Sequence, residues 1–130
     1  MNRSLDWLSQ ATHDLGQAEE SRAAGRHEWA CFAAQQSAEK AANALNLSLG
    51  QESWGHVVAR LLLDVPAVGA VPADLIEKAK VLDNLYIPSR YPDSHPEGAP
   101  FEHYGPLQST EALRYAGEIL EFVRLALAQS

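Results

Sequence analysis

The chain has 130 residues, 46% apolar and 21% charged, enough for one compact domain over 1–130 and too few for a second independent one. Its 17 acidic against 10 basic side chains leave a formal charge of -7, which opposes the unspecific phosphate attraction of basic nucleic-acid binders and leaves room only for a local basic pocket. A single cysteine, Cys31, excludes an internal disulfide framework and a multi-cysteine zinc site, and the start MNRSLDWLSQATHDLGQ lacks an apolar run fit for a signal peptide or membrane span, so the cytoplasm is the default expectation.

From Ser4 to about Ala24, Leu5, Leu8, Ala11, Leu15 and Ala18 recur at three- and four-residue steps, which predicts a helix started by Ser4 or Asn2 and ended by Gly25. His27 to about Leu49 is alanine-rich and nearly free of turn residues, with larger apolar groups at Trp29, Phe32, Leu45, Leu47 and Leu49. This segment reads as the longest helix, closed by Gly50, and its small side chains let neighbours approach, which places it at the centre of a bundle. Val57, Val58, Leu61 and Leu62 give a brief third helix before Pro66, and the connector AVGAV leads to Pro72. A fourth helix then carries Leu75, Ala79, Leu82 and Tyr86 at helical spacing. Tyr86 to Pro106 holds five of the seven prolines and two glycines, so no regular element of any length is expected there. Ser109 or Thr110 then caps a last helix with Ala112, Tyr115, Ile119, Phe122 or Val123, and Ala126 on its buried stripe.

No segment has the short alternating pattern of a strand. The expected architecture is therefore all-α: an up-and-down bundle of four to five helices with one long, ordered, proline-rich loop before the last. Tyr86, Ile87, Tyr91, Phe101 and Tyr104 are available to anchor that loop, and its prolines lower the entropy lost on ordering. These aromatics and the alanine-rich helix also supply more recognition surface than a monomer of this size needs, which predicts a homodimer or a dimer of dimers.

Within the loop, Arg90 and His95 stand close together. A guanidinium holds phosphate through its fork of donors and an imidazole exchanges a proton near neutral pH, which is a minimal kit for cutting RNA by its own 2′-hydroxyl. The plainer reading pairs Arg90 with a carboxylate, Glu39 first and Asp93 second, to hold the loop, with His95 in solvent; the spacing by itself favours this one. Gln35, Gln36, Glu39, Lys40 and Asn43 form a polar band on the second helix, part of which is expected to face the long loop or a partner subunit. His95 and His103 with Asp93, Glu97 and Glu102 match no metal-ligand spacing, so neither metal nor cofactor is assigned. Cys31, among alanines and beside Phe32, reads as a small core residue. Phosphate loops, nucleophile elbows and His-Glu-x-x-His helices are absent from the sequence, which excludes ordinary hydrolase and nucleotide-triphosphate machinery.

Three segments, WLSQATHDLGQA (7–18), EWACFAAQQSAEKAANAL (28–45) and LDNLYIPSRYPD (82–93), resemble the HEPN domains, the higher-eukaryote and prokaryote nucleotide-binding family. The run with Trp29, Cys31, Phe32, Gln35, Gln36, Ala38, Glu39 and Lys40 is the most specific, and His56 and the closing helix agree with it. The resemblance implies a small, commonly dimeric helical bundle, often paired as toxin and antitoxin with a minimal nucleotidyltransferase. It also implies ribonuclease activity in members with an arginine followed four to six residues later by a histidine, a spacing that Arg90 and His95 satisfy, although Tyr91 and Pro92 replace the polar, helix-compatible residues of many active members.

Three readings follow. The first is a nucleotide-binding and interaction module that works with a nucleotidyltransferase, with Arg90 and Lys40 on phosphate, Tyr91 stacked on a base, and Glu39, Asp93, Gln35 and Gln36 supporting the site. The second is a metal-independent ribonuclease with His95 as general acid or base and Arg90 stabilising the phosphorane. The third is an oligomeric partner-binding protein without a ligand. The net charge of -7 favours the first and third.

Overall fold

In the computed structural model, which describes residues 2–52, 55–66 and 70–129, α1 spans Ser4–Ala23 and α2 spans His27–Ser48. Asn2 Oδ1 accepts the Ser4 N–H at 2.8 Å, so Asn2 satisfies one of the free donors at the start of α1. Gly25 and Gly50 sit at φ 77° and 78°, the left-handed conformation that ends each helix where a side chain would be strained. The short turn at Gly25 makes α1 and α2 neighbours. Small residues then let them approach closely: Ser37 Oγ donates to the Ala11 carbonyl at 2.6 Å, and Ala11, Ala18, Ala34, Ala38 and Ala41 have no exposed surface. Leu5 and Trp29, although apolar, lie outside this seam at 69% and 51% exposure.

Four further helices complete the chain: α3 (Val58–Leu63), α4 (Ala73–Asp83), the single turn α5 (Pro100–His103) and α6 (Pro106–Ala128). The connector residues 67–69 lie outside the described residues. Every other helix touches α2, so the alanine-rich helix is the centre of the bundle. The core joins its alanines and Leu45 to Val58, Leu61 and Leu62 of α3, Leu75, Ala79 and Leu82 of α4, and Ala112, Ala116, Ile119 and Val123 of α6. Asn46 locks α3 in place by donating to the carbonyls of both Ala42 and Leu61. Among the described residues no strand occurs and no helix is long and apolar enough to cross a membrane.

The segment between α4 and α6 is ordered, but it departs from the expectation of an element-free loop. A 3₁₀ turn forms at Pro92–Ser94 and α5 at Pro100–His103, each begun by a proline whose fixed φ suits a first turn. The last helix also starts earlier than expected. Pro106 occupies its first turn and Gln108 Oε1 accepts the Gly105 N–H at 3.0 Å, while Ser109, expected as a cap, is buried with its hydroxyl 2.8 Å from His27 Nδ1.

Candidate functional site

The polar band of α2 divides into two rows four residues apart. Gln35, Glu39 and Asn43 are buried and turn toward the rest of the chain, whereas Gln36 and Lys40 stay half-exposed on the side of α1. The half-exposed row lines a groove of about 600 Å³ together with Asp14, Arg26, Trp29 and Phe32. Lys40 is not a free cation in it, because its Nζ pairs with Asp14 of α1.

The buried row is a relay of hydrogen bonds. Gln36 Nε2 donates to Gln35 Oε1 at 2.8 Å, which fixes the Gln35 amide so that its own Nε2 points at two acceptors, the His56 carbonyl at 3.0 Å and Glu39 Oε1 at 3.3 Å. Glu39 Oε1 also lies 3.0 Å from His56 Nδ1. Just beyond His56, the Asp83 carboxylate accepts the N–H groups of Val58 and Ala59 at 2.6 and 3.1 Å, clamping the entry to α3 against the end of α4. Burial raises the Asp83 carboxyl above its ordinary 3.8, the Ala59 and Val58 donors oppose that, and the nearby Glu39 charge adds to it.

The stretch after α4 brings Arg90 to α2 at Phe32. Residues 84–90 run as successive turns, with the Arg90 and Tyr91 N–H groups both donating to the Ile87 carbonyl. Arg90 Nε donates to the Tyr86 carbonyl at 2.9 Å, and the guanidinium carbon lies 4.2 Å from the Phe32 ring centre, 4.8 Å from that of Tyr86 and 5.0 Å from that of Tyr91. The expected carboxylate partner is therefore corrected. Glu39 is occupied by Gln35 and His56, Asp93 is exposed in the 3₁₀ turn beyond Pro92, and three electron-rich faces satisfy the cation instead. Among the described residues neither terminal nitrogen of Arg90 has a hydrogen-bond or ion-pair partner, so the guanidinium is fixed while its donor fork is open.

His95 is not joined to Arg90 by any hydrogen bond or ring contact among the described residues. Nor does it extend into solvent as expected: its Nε2 donates to the Pro88 carbonyl at 2.7 Å, and its ring stacks on His103 with centres 4.1 Å apart. His103 Nε2 in turn donates to the Glu97 carbonyl, and Tyr104 meets His95 edge-on. The two imidazoles act as a clasp across the loop. Among the described residues no group of three His, Cys, Asp or Glu side chains is placed to hold a metal ion. Cys31 is fully buried, and burial, with the Glu28 charge, pushes its thiol up to about 12.

Two residues at the centre of this arrangement carry no sequence signal of their role. Tyr86 reads as the last apolar position of the fourth helix and as a loop anchor, but α4 ends at Asp83 and Tyr86 lies in the turns beyond it, where it stacks on His56 at 4.7 Å and meets Arg90. His56 lies in a stretch without periodicity, 17 positions from Glu39, and only the family resemblance draws attention to it.

The model of the family described as HEPN domain matches residues 4–126. The chain is similar to the crystal structure of TT1696 from Thermus thermophilus, at 53% identity and a TM-score of 0.92, covering 95% of this chain and 98% of that one. It is also similar to ST0689, an archaeal HEPN homologue, at 40% identity and a TM-score of 0.84 over 98% of this chain and 99% of that one. A HEPN domain protein from Thermotoga maritima shares 29% identity, with a TM-score of 0.78 over 96% and 99% of the two chains. No curated protein matches the chain.

Proposed function

The chain belongs to the HEPN domain family, and from that premise we propose that it is a nucleotide-binding and interaction module acting with a partner minimal nucleotidyltransferase. The observation that carries the binding half is the open fork of Arg90, held among Phe32, Tyr86 and Tyr91 and by its bond to the Tyr86 carbonyl. A guanidinium fixed in this way loses little entropy when it meets a phosphate, and both terminal nitrogens remain free to donate in parallel. Tyr91, 49% exposed beside it, supplies a face for a base, and the groove walled by Trp29, Phe32 and Lys40 continues from the same Phe32 ring.

The partner and the homo-oligomer rest on the family resemblance, with the exposed Ile87, Tyr91 and Phe101 offering apolar contact on the loop side. The engagement of His95 by the Pro88 carbonyl and by His103 supports binding over cleavage by that histidine. Calorimetric titration of ATP and of a short single-stranded RNA, without metal, tests the reading. Arg90→Ala is expected to lose about 1.5–3 kcal/mol of affinity for either probe, the worth of a charge-assisted hydrogen bond. Equal binding by parent and variant would leave only the ligand-free partner protein.

A further inference from the structure

The groove between α1 and α2 has two unlike ends. Its α1 wall carries Asp14, Gln17 and Ser21 at three- and four-residue steps, and its α2 wall runs in the same steps from Trp29 to Lys40. The far end is closed. Asp14 accepts from Gln10 Nε2 on one carboxylate oxygen and from Lys40 Nζ on the other, and Gln36 Nε2 is committed to Gln35. The end at the Gly25 turn is open. The Arg26 side chain is exposed there and, among the described residues, meets no carboxylate, carbonyl or ring, so it is the unpaired charge of the lining. The Arg26 N–H donates to the Ser21 carbonyl at 2.8 Å, which holds these two residues together across the turn. Ser21 is only 8% exposed; its hydroxyl accepts the Gln17 amide at 3.1 Å and keeps its own proton for a further acceptor. One helical turn on, about 5 Å along the axis, half-exposed Trp29 meets Phe32 at 78° with ring centres 6.1 Å apart, a corner of two aromatic walls.

We propose that this end of the groove binds a small aryl carboxylate, its carboxylate taken by Arg26 and Ser21 and its ring laid in the Trp29–Phe32 corner. The guanidinium and the hydroxyl both donate, and a carboxylate accepts on two oxygens, so each partner is satisfied. One open cation matches a single negative charge, and the net charge of -7 on the chain opposes a ligand of higher charge. The separation of about one helical turn between Arg26 and Trp29 calls for a carboxylate joined to the ring by one or two carbons. A volume of about 600 Å³ with aromatic and polar walls is that of a small-molecule site. Arg90 shares the Phe32 ring with this corner but none of its donors, so the assignment stands apart from the phosphate reading given above.

The test titrates the full chain with indole-3-acetate and with its neutral amide, by calorimetry and by the Trp29 indole N–H resonance, assigned through its loss in Trp29→Phe. The acid is expected to bind and to move that resonance, and the amide to bind at least ~10-fold more weakly. Arg26→Gln, at an exposed position that leaves the helices intact, should weaken the acid about 10-fold or more and leave the amide unchanged. Ser21→Ala should weaken the acid about 3–10-fold, and Arg90→Ala should leave it within about twofold. Equal binding of acid and amide, parent-like affinity in Arg26→Gln, or no binding up to about 5 mM acid overturns the assignment. So does displacement of the acid by ATP in Arg90→Ala, which would give the groove to the nucleotide. Binding of the acid by a parent chain that does not bind ATP upholds this site and overturns only the phosphate reading.

Discussion

The Arg90 guanidinium lies over the face of Phe32, its central carbon 4.2 Å from the ring centre. The contact joins the turn after α4 to the central helix, and it satisfies a cation without consuming its donors. A carboxylate at the same place would neutralise the charge and occupy the fork; an aromatic face does neither. The proposed phosphate site rests on this contact, which leaves open the fork that a carboxylate anchor would close.

Phe32→Leu keeps most of the side-chain volume and removes the π-face. The variant should fold, lose about 0.5–1 kcal/mol of stability from the missing cation–π contact, and bind ATP about 2–5-fold more weakly because the fork is less rigidly held. Urea denaturation with calorimetry on the same samples measures both. Unchanged affinity would mean that Tyr86 and Tyr91 hold Arg90 without Phe32.

Asp83 gives a pH signature with a definite sign. Burial places its folded-state pKa above the ordinary 3.8, so the folded chain holds that proton more tightly than the unfolded chain. The contribution of this group to stability therefore falls as pH rises from 3.8 through the raised value, and is constant above it. Asp83→Asn lacks that slope and has a weaker acceptor for the Val58 and Ala59 N–H groups, a loss of about 1 kcal/mol by analogy with helix caps. Urea midpoints from about pH 3.5 to about pH 6 should show the deficit of the variant shrinking as pH rises. A deficit that is constant or that grows would contradict the buried placement of Asp83.

Cys31 is expected to be inert in the folded protein. With its thiol pushed up to about 12 and no exposed surface, it has neither the thiolate nor the access that disulfide exchange needs. A chromogenic disulfide reagent at about pH 8 should modify it at least ~100-fold more slowly in buffer than in denaturing urea. Rapid, complete modification of the native chain would show that the centre of α2 opens.

The helical skeleton was legible because its punctuation is local. Gly25 and Gly50 end α1 and α2 where they stand in the sequence, and the alanines of α2 announce a helix that others approach closely. Pro106 misled for the same reason: counted as the end of a proline-rich loop, it is the first turn of α6. The polar band on α2 was visible as a band, but its division into a buried row at Gln35, Glu39 and Asn43 and a groove-facing row at Gln36 and Lys40 depends on where α1 packs. The partners of Arg90 and the pairing of Glu39 with His56 were not legible. Both arise where two irregular stretches fold back onto one helix, and no periodicity links positions 56 and 90 to positions 32 and 39 of α2.

The most direct measurement is a crystal structure of the full chain grown with ATP. Phosphate oxygens are expected within about 3.2 Å of both terminal nitrogens of Arg90, with the guanidinium still over the Phe32 ring and Lys40 still paired with Asp14. A nucleotide bound elsewhere with the Arg90 fork empty, or an Arg90 that has left Phe32 to pair with Glu39 or Asp93, would contradict the account.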